Sequence, residues 1–134
     1  MTLTEQDIHT LVPFAGTLGV RFGSLRADAV TARLPYTTEH STVGEAMHGG
    51  ALMGLADVAG AVCATLNGSG DTLPATMESS THFLRPVHGA GAFATSRPLH
   101  VGRSTVAVEI DIRDDEDRLC VRVTQLVALR KAHG

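Results

Sequence analysis

His48-Gly49-Gly50 and Asp57 are the residues of this 134-residue chain best placed to do chemistry. Two glycines at the start of an apolar run let an oxygen come close to backbone amides, whose N–H groups and helix-dipole end favour developing negative charge. Asp57 is the only charged residue between Gly49 and Leu66. An ionised carboxylate in such a helix is costly unless it faces a solvated cleft or has hydrogen-bonding partners, so Asp57 is the first functional candidate. The plainer reading makes it a structural carboxylate capping a buried donor. His48 either orients the loop or contacts the reacting group, or it serves only as a hydrogen-bonding residue at the helix start.

A helix must carry these residues. Leu52, Leu55, Ala56, Ala59, Val62, Cys63 and Leu66 recur at helical spacing, and Met53, Val58 and Ala61 make the other faces apolar too. About 16 residues give roughly 24 Å, short of a ~30 Å hydrocarbon core, so the pattern reads as a core helix and no membrane partner is expected. Before it, Thr2 and Glu5 match a capping box for a short helix holding Ile8, Leu11 and Val12, which Pro13 should end. Residues 19–25 and 29–34 read as a hairpin, and 36–47 as a loop beside the site. Asn67-Gly68-Ser69-Gly70 reads as a stop signal that combines a left-handed C-cap option with a flexible linker.

Strand patterns follow at 74–84 and 92–99, the second marked as an edge or bulge by Pro98. At 105–113, Val106, Val108, Ile110 and Ile112 alternate with polar residues; a turn at 114–117 leads to a last strand whose apolar face is Leu119, Val121, Val123, Val127 and Leu129. Two strands, one long helix and about four strands predict an α+β domain, one unit over residues 1–134, whose sheet covers the helix.

Net charge of -3, a pI near 6.1 and scattered basic residues argue against a nucleic-acid or anionic-membrane surface. Residues 1–14 lack the features of a signal peptide, so a cytoplasmic location is expected. Cys63 and Cys120 stand in apolar runs without metal-ligand spacing and read as structural thiols.

Three motifs in order, His48-Gly49-Gly50 with an acid nine positions after the His, Phe83-Leu84-Arg85-Pro86-Val87, and Val101-Gly102-Arg103-Ser104 ahead of Val108-Glu109-Ile110-Asp111-Ile112-Arg113-Asp114, resemble the hotdog-fold acyl-CoA thioesterases of the PaaI (phenylacetic-acid pathway) type. The likeness spans about residues 14–130. It implies an antiparallel sheet wrapped around one central helix, hydrolysis of an acyl-CoA to free acid and CoA, no metal or other cofactor, and a homodimer assembling to a homotetramer. By the same match, the Gly49 amide would serve the thioester oxygen, with Gly50 beside it, and Asp57 would activate water or attack as nucleophile. Thr76 matches a Ser or Thr that places water, with Ser79, Ser80 and His82 as rivals. Arg85, Gly102, Arg103 and Ser104 are the choice for CoA phosphate and pantetheine, because Arg gives charge-assisted hydrogen bonds and a Gly turn offers amides; solvated surface arginines are the plainer reading. Met53, Met77, Phe83 and Leu84 are candidates for an acyl pocket.

The chain departs from the family at Thr42, six residues before His48, where many members carry Asn or Gln. Gly49 and Asp57 are also eight positions apart on one helix, about 12 Å, too far to reach one thioester carbon. Two antiparallel helices would solve this, giving two sites per homodimer. The alternatives are a thioesterase for acyl carrier protein and a non-catalytic acyl-CoA-binding protein; a hydratase fits the His-Gly-Gly and Asp pattern less well.

Overall fold

In the computed structural model, which describes residues 2–132, the apolar run forms one unbroken helix, α3, of 18 residues from Gly49 to Leu66. It is longer than its apolar pattern suggested because both glycines lie inside it. His48 caps it, its Nδ1 accepting the Gly50 N–H at 2.8 Å. The helix stops at Asn67 without using the left-handed option; with φ -97° and ψ 1°, Asn67 donates its side-chain amide to the carbonyls of Ala27 and Cys63. By length and composition α3 could cross a membrane, yet Leu52, Leu55, Ala56, Val58, Ala59, Val62 and Cys63 are buried within the protein.

What buries them is a six-stranded antiparallel sheet: β1 (Arg21–Arg26), β2 (Ala29–Pro35), β3 (Thr72–Phe83), β4 (Gly91–Val101), β5 (Thr105–Arg113) and β6 (Leu119–Lys131), in the spatial order β1-β2-β4-β5-β6-β3. The alternation read for β5 holds, with Val106, Val108, Ile110 and Ile112 fully buried against the helix side. β4 is an interior strand rather than an edge; Pro98 sits at a bulge, where the β4–β5 register shifts between Pro98 and His100. β3 ends the sheet, so its outer edge has no partner strand among the described residues.

The N-terminal region differs from its pattern. The capping box is Thr4 with Asp7, not Thr2 with Glu5, and it opens α1 (Glu5–Leu11). Pro13 closes that helix and also begins a second, α2 (Pro13–Leu18), since proline's fixed φ and missing N–H suit a first helical position. Gly19, at φ 96°, then turns the chain into β1. Between β2 and α3 the loop makes two 3₁₀ turns, Thr38–His40 and Val43–Glu45, and is pinned by the Met47 N–H to the Val87 carbonyl and by the His48 N–H to the His40 carbonyl. Cys63 and Cys120 are both free and buried, and burial pushes both thiols up.

Candidate active site

Asp57 is on the face of α3 that the sheet leaves open, and the side chain is exposed within a single chain rather than enclosed. It has two donors: the Thr76 hydroxyl at 2.8 Å and the Gln125 side-chain amide at 3.2 Å, both to Oδ1. Oδ2 accepts nothing among the described residues and remains available. Met53, Gly54, Asp57, Thr76, Ser79 and Gln125 line an open hollow of about 290 Å³. A carboxylate so held can take a proton from water, or attack a carbonyl, at this hollow.

The backbone explains why Thr76 and Ser79 share a face. Residues three apart in a regular strand point to opposite sides, but the β3–β6 register shifts between Thr76 and Glu78, which lets Met77 bulge out. Thr76 then stands opposite Val127 and Ser79 opposite Gln125, both on the helix side. Ser80 and His82, opposite Thr124 and Arg122, are on the other face of the sheet and away from Asp57.

Gly49 is at the far end of the helix. As the first helical residue its N–H has no intrahelical acceptor, whereas the Gly50 N–H is occupied by His48. A Cβ on Gly49 would stand 3.3 Å from the Phe83 ring, so the glycine keeps the backbone open beside that side chain. The structure gives His48 the capping role; Thr42, exposed in the loop nearby, donates its N–H to the Ala46 carbonyl at 2.7 Å.

The proposed CoA contacts do not come together within one chain. The Arg85 N–H donates to the Cys120 carbonyl, whereas the Ser104 carbonyl accepts from the Leu129 N–H. Nine residues of extended β6 separate these anchors, about 30 Å. Arg85 therefore shares an end of the sheet with Gly49, and the turn at Gly102, Arg103 and Ser104 shares the opposite end with Asp57 and Thr76. The candidate residues thus fall into two groups, one at each end of the sheet.

Of the residues suggested for an acyl pocket, Met53 lines the hollow. Met77, at 62% exposure, and Phe83, at 53%, stand out on the edge strand, with Leu84 exposed just beyond it. Two residues went unnoticed in the sequence. Phe14 packs beside Gly54, a residue that lines the hollow, its ring 3.4 Å from where a Cβ on Gly54 would be. Gln125 had a signal: it is the polar residue in phase with buried Val121, Val123 and Val127. A second hollow of about 330 Å³, lined by Tyr36, Gly44, Glu45, His88 and Gly89, contains none of the residues singled out above.

A six-stranded antiparallel sheet wrapped on one long helix is the hotdog arrangement. It superposes on a crystal structure of a thioesterase from Haemophilus influenzae with a TM-score of 0.91 at 22% identity, covering 100% of this chain and 95% of that one. The thioesterase superfamily model matches residues 44–121, more than half of the chain. The proofreading thioesterase EntH of Klebsiella pneumoniae is 31% identical over 121 residues, 90% of this chain and 88% of its own. The 1,4-dihydroxy-2-naphthoyl-CoA hydrolase of Escherichia coli is 28% identical over 105 residues, covering 78% of this chain and 77% of its own. The chain belongs to the thioesterase superfamily.

Proposed function

We propose that this protein is an acyl-CoA thioesterase of the PaaI type whose active site is completed by a second copy of the chain. The observation that carries the proposal is the arrangement of half-sites: a free amide at Gly49 at one end of α3, and a hydrogen-bonded carboxylate with an open oxygen at Asp57 about 12 Å along it. An antiparallel partner helix brings Gly49 of one chain to Asp57 of the other. It also gathers Arg85 with the turn at Gly102, Arg103 and Ser104. The unpaired edge of β3 and its exposed Met77 and Phe83 supply a surface for that pairing, because a long open edge strand with apolar side chains favours another strand. Such dimers would pair further into a tetramer.

In this site the thioester oxygen points at the Gly49 N–H, which stabilises the charge that develops as the carbonyl carbon becomes tetrahedral. Asp57, anchored through Oδ1, presents Oδ2 either to a water, taking its proton as the water attacks, or directly to the carbonyl carbon. Collapse of the tetrahedral species breaks the C–S bond and releases CoA as its thiolate. Direct attack would leave an acyl–Asp57 anhydride, which water then hydrolyses. Arg103 and Arg85 supply charge-assisted hydrogen bonds for CoA phosphates. The CoA-ester substrate of the Escherichia coli relative favours CoA over carrier protein as the thiol carrier.

The test is release of free CoA, followed by thiol titration, over a panel of aryl- and alkyl-CoA thioesters. Turnover of one class is expected; tight binding of acyl-CoA with no thiol released from any member would replace hydrolysis with carriage.

A further inference from the structure

Gln125 occupies a position that packing alone does not explain. It lies on β6 between Val123 and Val127, on the face that fills the core, and is 1% exposed. Its neighbours across the sheet are Val108 on β5 and Ser79 on β3. On α3 it meets Gly60: a Cβ there would lie 2.9 Å from the Gln125 amide nitrogen, so the helix has a gap where this side chain crosses. The carbonyl end, Oε1, is buried and has no hydrogen-bond partner among the described residues. An unpaired buried carbonyl lowers stability, and an apolar residue of similar size would avoid that cost. Among the described residues, the one hydrogen bond of the side chain is to Asp57 Oδ1.

We infer that Gln125 is a positioning residue for Asp57, retained at the expense of core stability to fix which carboxylate oxygen faces the substrate. A carboxylate can only accept, so the amide NH₂ is the end that faces it. Thr76 arrives at the same oxygen from β3 and Gln125 from β6, so Oδ1 is held from two strands while Oδ2 is left to water or to the thioester. With Thr76 alone, the carboxylate can pivot about that single bond and present Oδ2 less often in the reactive direction. Gly60 belongs to the same device, because a side chain there would push the amide away from Asp57. The inference rests on the hydrolytic reading of the site.

The experiment uses the full chain in its native assembly, with Gln125→Met and, as a second apolar replacement, Gln125→Leu. Thermal midpoint and steady-state constants are measured on a thioester that the wild type hydrolyses. The midpoint is expected to hold or rise, while kcat falls about 10- to 100-fold, the worth of a hydrogen bond to a charged group, and KM stays within about twofold. On an Asp57→Asn background, adding Gln125→Met should cause no further loss, because there is no longer a carboxylate to aim. A lower midpoint with unchanged kcat in both variants overturns the inference and makes Gln125 a core amide only. Full additivity with Asp57→Asn also overturns it, because Gln125 would then act independently of Asp57. A wild type that hydrolyses no thioester sinks the hydrolytic reading together with this one, whereas an active wild type matched by its Gln125 variants removes this inference alone.

Discussion

Replacing Gly49 by proline separates the oxyanion donor from the helix that carries it. Proline removes the one N–H assigned to the thioester oxygen, at a position where a helix loses no hydrogen bond, since Gly49 is the first helical residue. The preceding residue tolerates it as well: His48 has φ -65° and ψ 137°, the extended conformation that a following proline requires. The added carbons meet the Phe83 ring at about 3.3 Å, and that side chain is more than half exposed and can give way. Stability should therefore change by about 1 kcal/mol or less, a shift in midpoint of no more than about 5 °C. Loss of one oxyanion donor costs about 10² to 10³ in kcat, or about 2.7 to 4 kcal/mol. Gly49→Ala is the control, because it meets the same ring yet keeps its N–H. Calorimetry and CoA-release kinetics on the pair should show a hundredfold or greater loss of kcat for proline and less than about tenfold for alanine. Equal losses would mean that crowding against Phe83, not the missing amide, is responsible, and a fully active proline variant would place the oxyanion donor elsewhere.

Asp57→Asn should fold and bind acyl-CoA but lose at least about a hundredfold in kcat, the scale of general-base catalysis, as read by paired kinetics and isothermal binding; retained turnover would exclude Asp57 as base or nucleophile. Arg103→Ala should raise KM for acyl-CoA and leave turnover of a truncated pantetheine thioester nearly unchanged, and equal losses on both substrates would make Arg103 structural. In the β5–β6 turn, backbone N–H donation from Arg118, with its guanidinium and the Glu116 N–H, holds the Asp114 carboxyl below the usual carboxylate range. Its stabilising effect is complete above the unfolded-state value of about 3.9 and is lost as pH falls through the lower folded value. Thermal midpoints from pH 7 to pH 2 should then fall less steeply in acid for Asp114→Asn than for wild type, and parallel curves would contradict that assignment.

How much could be read in advance depended on how local each signal was. The period of α3 and the alternation of β5 were legible because many residues repeat one pattern, and Asp57 stood out as a lone charge within the first of them. Thr4 and Pro13 misled because the motif at Thr2 and Glu5 matched in spacing but stood two residues too early, and because a proline that ends one helix can begin another. The stop after α3 was legible in Asn67-Gly68-Ser69-Gly70, but the way Asn67 ends the helix was not, because its side chain donates to the Ala27 carbonyl on the β1–β2 turn, a partner 40 residues away in sequence. The bulge at Met77, which places Thr76 and Ser79 together, follows from pairing with β6 and leaves no mark in β3 alone. Likewise, the separation of Arg85 from Arg103 depends on the order of strands across the sheet. Gln125 was visible as a polar interruption of an apolar row, but its meaning required knowing that the row faces Asp57.

The claim that two chains build each site is tested most directly by mixing two inactive variants, Gly49→Pro and Asp57→Asn, after dissociation and reassembly. In a mixed pair one site would receive Gly49 from the Asp57→Asn chain and Asp57 from the Gly49→Pro chain, and so would be intact, while the other site carries both lesions. Random reassembly of a symmetric dimer makes about half of the pairs mixed, so about a quarter of wild-type activity should return. Activity no higher than the sum of the two parents, with mixed pairs verified by native mass spectrometry, would contradict the shared site.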